Sequence, residues 1–297
     1  MPAVAVTDQS NLFALVKFYK AAMGAGIKPI LGVDLWIHDR EDANNPFRLT
    51  LLVQNQEGYR NLTRLVSRSY REGQHLGRPM VDRRWLDKAN CRGLIALSGG
   101  REGDVGRALL GGHRRSAETV LDGWLTLFGD RYYLELHRTG RPDEEEALHL
   151  SVALAGERGV PVVATNDVRF LAREDFEAHE VRVCIHDGRT LDDPRRPKSY
   201  SEQQYLRTPE EMGELFADIP EALANSVEIT KRCTLELSLG QNYLPDFPIP
   251  EGLTIEQFFS DESRRGLEWR LATLFVVQDP ERDDKRRIYE ERLQIEL

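Results

Sequence analysis

One stretch in the middle of the chain carries the pattern that predicts the fold: Val160-Pro161-Val162-Val163-Ala164-Thr165-Asn166-Asp167. A short apolar run, rich in β-branched residues, ends in three polar residues, and amphipathic stretches flank it at 143–157 and 175–185. Such a run is typical of a strand that is buried on both faces. The stretch therefore predicts a strand between two helices, the repeating unit of α/β folds.

The same order of strand and helix recurs along the first two thirds of the chain. Five more apolar runs predict strands at residues 3–6, 30–33, 49–53, 94–97 and 132–136. Three more amphipathic stretches predict helices at residues 11–23, 58–70 and 116–128. Repeated strand and helix units favour parallel strands with helical crossovers.

The pattern changes after Gly188. Helical patterns follow at 209–216 and 220–233, and then comes a proline-rich connector, Leu244-Pro245-Asp246-Phe247-Pro248-Ile249-Pro250. We therefore predict a domain at 1–240 and a second region at 241–297, with helices at 255–277 and 281–297. The first predicted strand begins at residue 3, and the last helical pattern reaches residue 297 without a stop signal. We expect both ends to continue in a longer polypeptide.

Composition excludes several classes of protein. The 297 residues include 40 Lys and Arg against 49 Asp and Glu, a net charge of −9, and three cysteines that lie far apart. These cysteines form no disulfide or zinc-site pattern, and no apolar run reaches the length of about 18 residues that a membrane helix needs. We expect a cytoplasmic protein without a membrane partner.

One segment, residues 60–115, is basic in this acidic chain, with 13 Lys or Arg against 5 Asp or Glu. Within it Arg64, Arg68 and Arg71 fall on one face of a predicted helix. They form either an ordinary solvated face or a surface for phosphates or an acidic partner, because clustered positive charge favours polyanions.

Polar residues at three predicted strand ends suggest a cation site. Asp8, Asp34 and Asp167 follow separate apolar runs, and carboxylates that converge at strand ends can bind a hard cation. Alternatively, Asp8 and Asp167 cap the helices that follow them. Asp34 lies in an apolar run, where an unpaired carboxylate is costly. The histidines form no metal motif, and no Walker loop or G-x-S-x-G motif is present.

Several of these segments together resemble one family, the α subunit of bacterial DNA polymerase III, in its N-terminal region. The resemblance covers essentially the whole chain. It rests on Ala5-Val6-Thr7-Asp8, Gly26-Ile27-Lys28-Pro29-Ile30-Leu31-Gly32-Val33-Asp34, Leu97-Ser98-Gly99-Gly100, Thr139-Gly140-Arg141-Pro142-Asp143-Glu144, Val163-Ala164-Thr165-Asn166-Asp167-Val168-Arg169-Phe170 and Phe247-Pro248. A further segment, Phe216-Ala217-Asp218-Ile219-Pro220-Glu221-Ala222-Leu223-Ala224-Asn225, is similar to the proteobacterial replicative branch.

The resemblance implies a PHP domain, a distorted (β/α)7 barrel whose intact members hold metal ions and cleave phosphoesters. Its first strand would precede residue 3. At positions where intact members carry metal ligands, this chain has Gln9, Thr139 and Arg169. At most Asp8, Asp34 and Asp167 remain as vestigial ligands. The resemblance therefore implies a degenerate metal site, with no catalytic residue and no bound cofactor in this chain.

The resemblance also implies a function for the full-length parent. That parent would be a DNA-directed DNA polymerase that uses Mg²⁺ bound by carboxylates beyond residue 297, and residues after about 245 would begin the polymerase region. The PHP part would be a scaffold and a platform for the proofreading exonuclease subunit, beside other holoenzyme subunits and DNA. Two alternatives remain open: a stand-alone metal-dependent PHP phosphoesterase and a non-catalytic nucleic-acid-binding module.

Overall fold

The computed structural model describes residues 1–39, 42–242, 244–275 and 282–297. These residues form two compact units, Met1–Leu237 and Ser238–Leu297. Within the described residues, every helix is too short or too polar to cross a lipid bilayer.

The first unit is built around a mixed sheet that curls into a half-barrel. Its strands are β1 (Ala3–Gln9), β2 (Lys28–His38), β3 (Phe47–Val53), β4 (Gln74–His75), β5 (Arg78–Pro79), β6 (Val81–Asp82), β7 (Leu94–Leu97), β8 (Tyr132–Leu136) and β9 (Val162–Ala164). The sheet order is β1-β2-β3-β7-β8-β9, with β6 beside the end of β2, while β4 and β5 form a separate hairpin.

Helices cover this sheet and fill its ends. They are α1 (Leu15–Gly24), α2 (Gln56–Glu72), α3 (Asp104–Leu110), α4 (Arg114–Phe128), α5 (Glu144–Arg158), α6 (Phe176–Asp187), α7 (Pro209–Leu215) and α8 (Pro220–Arg232). The predicted α/β class and all six predicted strands are confirmed. Helix α1 starts later than predicted because the Asn11 side chain accepts a hydrogen bond from the Phe13 amide and holds a turn there.

The prediction of an all-parallel sheet is wrong at one strand. Strand β3 runs antiparallel to both β2 and β7, whereas β1, β8 and β9 are parallel to their partners. The segment between β2 and β3 has only eight residues, 39–46. A parallel crossover needs a dozen or more, so the chain must turn back on itself.

Both faces of the sheet are buried, as the continuous apolar runs predict. On one face, residues such as Leu51 and Leu134 pack with α2, α3, α4 and α5. On the other face, their neighbours Leu52 and Tyr133 pack with Ile229 of α8 and with Cys233. Alternate residues of each strand therefore belong to different halves of the core.

Trp124 is the largest fully buried side chain, and it organises the first half of the core. Its ring stacks on Tyr132 at 6.1 Å between centroids, and its indole N–H donates to both carboxylate oxygens of Asp104 at 3.0 and 3.1 Å. Arg83 pairs with the same carboxylate at 3.0 Å and lies over the Trp124 ring. An ionisable group is thus held inside an aromatic cluster.

This arrangement gives stability a specific pH dependence. Burial raises the pKa of Asp104 from 3.8 to about 6, although Arg83 and the indole oppose the rise. The proton on Asp104 stabilises the folded chain by roughly 3 kcal/mol below about pH 4. This stabilisation is lost as pH rises through the folded-state pKa. The amide of Asp104→Asn does not titrate. We therefore expect the free energy of unfolding of this variant, relative to that of the wild type, to increase by about 3 kcal/mol between about pH 4 and about pH 7.

Urea unfolding of both proteins across this pH range checks the expectation. Other carboxyl groups titrate equally in both proteins, so the difference between them isolates Asp104. A difference that stays constant with pH would contradict the prediction.

The second unit contains two helices in its described part, α9 (Ile255–Leu274) and α10 (Arg282–Glu296). The Thr254 hydroxyl and the Gln257 side chain cap the start of α9 reciprocally. Arg286 of α10 pairs with Glu268 of α9, and the rings of Phe275 and Tyr289 lie 5.8 Å apart. The predicted end of one helix near 277 and the predicted start of the next at 281 lie outside the described residues.

Candidate functional site

A buried ion pair joins the interior of β2 to the start of β3. Asp34 was expected to follow a strand at 30–33, but β2 continues to His38 and contains it. The Arg48 guanidinium donates from Nε to Asp34 Oδ1 at 3.1 Å and from Nη2 to Asp34 Oδ2 at 2.5 Å. Only 7% of the Arg48 side chain and 4% of the Asp34 side chain are exposed. The carboxylate that the sequence placed in an apolar run is thus neutralised by a two-point contact from the neighbouring strand.

The same guanidinium reaches two further carboxylates. Arg48 Nη1 donates to Glu102 Oε2 at 2.7 Å, and Nη2 donates to Asp167 Oδ1 at 3.1 Å. Burial by itself would lower the pKa of Arg48, but Asp34 and Asp167 outweigh it and hold the pKa well above its ordinary value. Arg48 is therefore a permanent positive charge at the centre of three acidic groups.

Asp167 pairs with a further arginine and accepts hydrogen bonds from two more side chains. Arg141 Nη2 lies 3.1 Å from its Oδ2, Arg169 Nη2 donates to its Oδ1 at 2.8 Å, and Gln204 Nε2 donates to its Oδ2 at 2.9 Å. Burial alone would raise the pKa of Asp167, but Arg48 and Arg169 lower it far below the ordinary range. Asp167 also has a φ of 42°, a left-handed backbone that aspartate tolerates.

Thr139 and Glu144 close the network on one side. The Thr139 amide and hydroxyl both donate to Glu144, at 2.6 and 2.7 Å, and Arg141 Nε donates to Thr139 Oγ1 at 3.0 Å. Arg141 also lies 3.0 Å from Glu144 and 3.5 Å from Glu102. We call these eight residues the arginine network: Asp34, Arg48, Glu102, Thr139, Arg141, Glu144, Asp167 and Arg169.

A second buried pair lies beside the network on β8. His137 Nε2 is 3.3 Å from Glu135 Oε1, which also accepts a hydrogen bond from Thr165 at 2.6 Å. Burial lowers the pKa of His137, but Glu135 overrides this effect and raises it. The Glu135 carboxylate therefore favours the protonated form of this buried imidazole.

The structure brings together only part of the predicted site. Asp34, Thr139, Asp167 and Arg169 all belong to the arginine network, whereas Gln9 is exposed at the end of β1. Asp8 is not the N-cap of α1, which is Ala14, but its carboxylate accepts a hydrogen bond from the Ala14 amide at 3.0 Å and so contacts the start of that helix. For Asp167 the helix-cap interpretation is wrong, because its carboxylate binds arginines instead.

The donor set of the network does not suit a metal ion. The two carboxylates that could converge, Asp34 and Asp167, are bridged by a single nitrogen of Arg48. A divalent cation requires free deprotonated donors, and a fixed guanidinium at their midpoint repels it. Within the described ranges, no group of three or more His, Cys, Asp or Glu could hold a metal.

Comparison with known proteins agrees with the fold and with the strand-end motifs. Residues 1–139 match the PHP domain family. Over all of its length the chain is 55% identical to the DNA polymerase III subunit alpha of Pseudomonas aeruginosa, 53% to that of Vibrio cholerae and 54% to that of Escherichia coli strain K12. The chain belongs to the DNA polymerase III subunit alpha family. It spans about 25% of the length of these relatives.

Sequence reasoning missed the residue at the centre of the site. Arg48 lies in the apolar run Phe47-Arg48-Leu49, where a buried arginine requires a carboxylate partner. The sequence therefore indicated that Arg48 needs a carboxylate partner, but it did not identify Asp34 as that partner. Arg141 and Glu144 belong to a motif that carried the resemblance, yet only Thr139 of that motif was named as a site residue.

Proposed function

We propose that the first unit is a non-hydrolytic PHP scaffold in the α subunit of a replicative DNA polymerase. The observation that carries the proposal is the Arg48 guanidinium, which bridges Asp34 within β2 and Asp167 after β9. The guanidinium can neither lose its proton nor activate water, so it cannot hydrolyse a phosphoester. It can, however, join strands and loops through its hydrogen bonds. The degenerate metal site thus becomes an internal cross-link.

The topology supports this structural role. The network joins residues that are far apart in the chain, from Asp34 on β2 to Asp167 after β9. Gln204, which is fully buried, extends the connection to the segment before α7. One cluster therefore fixes the open end of the half-barrel.

An assay for hydrolysis tests the scaffold proposal against a PHP phosphoesterase. The purified chain is expected to show no metal-dependent cleavage of a phosphate monoester or of a labelled DNA 3′ end with Mg²⁺, Mn²⁺ or Zn²⁺. Asp34→Asn is the control, since it removes a carboxylate that a metal enzyme of this fold would need. Cleavage by the wild type that this variant loses would overturn the proposal.

The longer polypeptide would supply DNA synthesis. By similarity to the named relatives, we propose that the parent is a cytoplasmic DNA-directed DNA polymerase that uses Mg²⁺, that residues 1–240 are its PHP domain, and that residues 241–297 begin its polymerase region. Asp8, Asp34 and Asp167 are in this proposal remnants of a metal site, with Gln9, Thr139 and Arg169 at lost ligand positions.

The scaffold would also seat the proofreading exonuclease subunit, which the family resemblance implies. Size-exclusion chromatography of the chain with that purified subunit tests this part. Co-elution that survives at physiological salt supports the platform role, and separate elution of the two proteins refutes it for this chain.

A further inference from the structure

Helix α2 presents three exposed arginines along one face. Arg60, Arg64 and Arg71 are exposed and follow one another on one face, because positions 4 and 7 residues apart share a side of a helix. Within the described part of the chain, none of the three forms an ion pair with a carboxylate. This face carries unneutralised positive charge in a protein of net charge −9.

Surface arginines elsewhere in the chain are commonly paired along their own helix. Arg114 with Glu118, and Arg286 with Glu290, are examples of such neutralised pairs. Among the described residues, unpaired arginines also occur on α4, α6 and α9, whereas α2 carries three on one face. Such a cluster of positive charge attracts a partner of opposite sign.

The helix is held rigidly behind this face. Asn55 caps its first turn by accepting a hydrogen bond from the Gly58 amide at 3.1 Å. Gly58 approaches the next loop so closely that an added Cβ would lie 1.8 Å from the Gly93 carbonyl oxygen. Leu62 and Leu65 anchor the opposite side in the core. The arginines therefore project from a fixed frame, which reduces the entropy lost on binding.

The same face borders an open groove of about 330 Å³. Arg68 lies at its side, where its guanidinium stacks 4.2 Å from the Trp85 ring centre and pairs with Glu72 at 2.7 Å. The residues that line it have polar or charged side chains and are Thr63, Arg64, Ser67, Arg68, Arg71 and Glu72. Hydroxyl and guanidinium groups together are the usual donors to phosphate oxygens.

We propose that the face of α2 formed by Arg60, Arg64 and Arg71 binds the phosphate backbone of duplex DNA without reading its sequence. The three residues span about 16 Å of helix, over which each strand of a duplex presents several phosphates. A protein partner would need an apolar or aromatic centre, which the groove lacks. A single strand would need several aromatic platforms, whereas Tyr70 is the exposed aromatic residue that α2 offers.

The test is the salt dependence of binding to a labelled duplex, measured by fluorescence anisotropy with the 297-residue chain. Three phosphate contacts should weaken binding about 40-fold between about 50 mM and about 200 mM salt. In the variant with Arg60→Gln, Arg64→Gln and Arg71→Gln, the slope of log affinity against log salt should fall by about two to three.

A matched variant with Arg115→Gln, Arg182→Gln and Arg264→Gln controls for net charge. These arginines are also exposed, lie on α4, α6 and α9, and form no ion pair among the described residues. If both variants lost the same duplex affinity and the same salt slope, the proposal would be overturned. It would also be overturned if the wild type did not bind the duplex at low salt. Stronger binding of polyglutamate or of single-stranded DNA than of duplex at the same face would overturn it as well.

The proposal does not depend on the scaffold role. The α2 substitutions leave the arginine network untouched, and the hydrolysis assay does not involve α2. The DNA-binding proposal and the scaffold proposal can therefore fail independently of each other.

Discussion

Replacing Arg48 by methionine is expected to lower the free energy of unfolding by about 3 to 5 kcal/mol. Methionine fills much of the same space but leaves Asp34 buried without its two-point partner and removes one donor from Asp167. An uncompensated buried charge is far more costly than the loss of an exposed pair. Urea unfolding followed by circular dichroism measures the effect. A domain has a total stability of about 5 to 15 kcal/mol, so the loss is a large share.

Arg92→Met is the matched control. Arg92 pairs with Glu57 at 2.7 Å, as Arg48 does with Glu102, but the two side chains are 65% and 49% exposed. We expect this substitution to cost no more than about 1 kcal/mol. Equal costs for Arg48→Met and Arg92→Met would refute a structural role for the arginine network.

A second substitution separates charge from packing. In the double variant with Arg48→Met and Asp34→Asn, the buried carboxylate becomes a neutral amide, so part of the lost stability should return. Additive losses from the two substitutions would show that packing, not the unpaired charge, causes the damage.

Trp124→Ala is expected to cost about 3 to 5 kcal/mol, with a further loss because Asp104 loses its indole donor. The residue is completely buried between Phe47, Phe128 and Tyr132, and its removal would leave a large cavity in the core. Thermal unfolding of variant and wild type gives the measurement.

Trp124→Phe distinguishes the two contributions. Phenylalanine keeps most of the packing but lacks the N–H group, so we expect a cost of about 1 to 3 kcal/mol because the buried Asp104 carboxylate loses its indole donor and keeps Arg83. An alanine variant no less stable than the phenylalanine variant would contradict the role assigned to the aromatic cluster.

Much of the local structure was predictable because it follows from short-range patterns. Continuous apolar runs predicted six strands of the main sheet, and the helical period predicted α2, α4, α5, α6, α7 and α8 to within a few residues. The short elements β6 and α3 were not predicted, since so few residues carry little periodic signal. The reversal of β3 was not predicted either, although the short loop at 39–46 favours it.

The candidate site, too, was predicted from the sequence only in part. The sequence alone determined that Asp34 and Asp167 follow apolar runs and that the segment 60–115 is basic, because local pattern and composition require no knowledge of the fold. Asp34 was expected after a strand at 30–33, but β2 continues to His38 and contains it. That Gln9, Thr139 and Arg169 stand at lost metal-ligand positions is what the family resemblance implies, and it stays a prediction.

Only the tertiary structure decided which charges meet. Arg48 and Asp167 are separated by 119 residues, and the curled sheet brings their side chains to 3.1 Å, while Asp8, a similar strand-end aspartate, is turned toward the amide of Ala14. The physical reason is that a buried charge must find a partner wherever the fold supplies one. Sequence patterns reveal that need, but the identity of the partner depends on strand register, curvature and loop path, which are long-range properties of the folded chain.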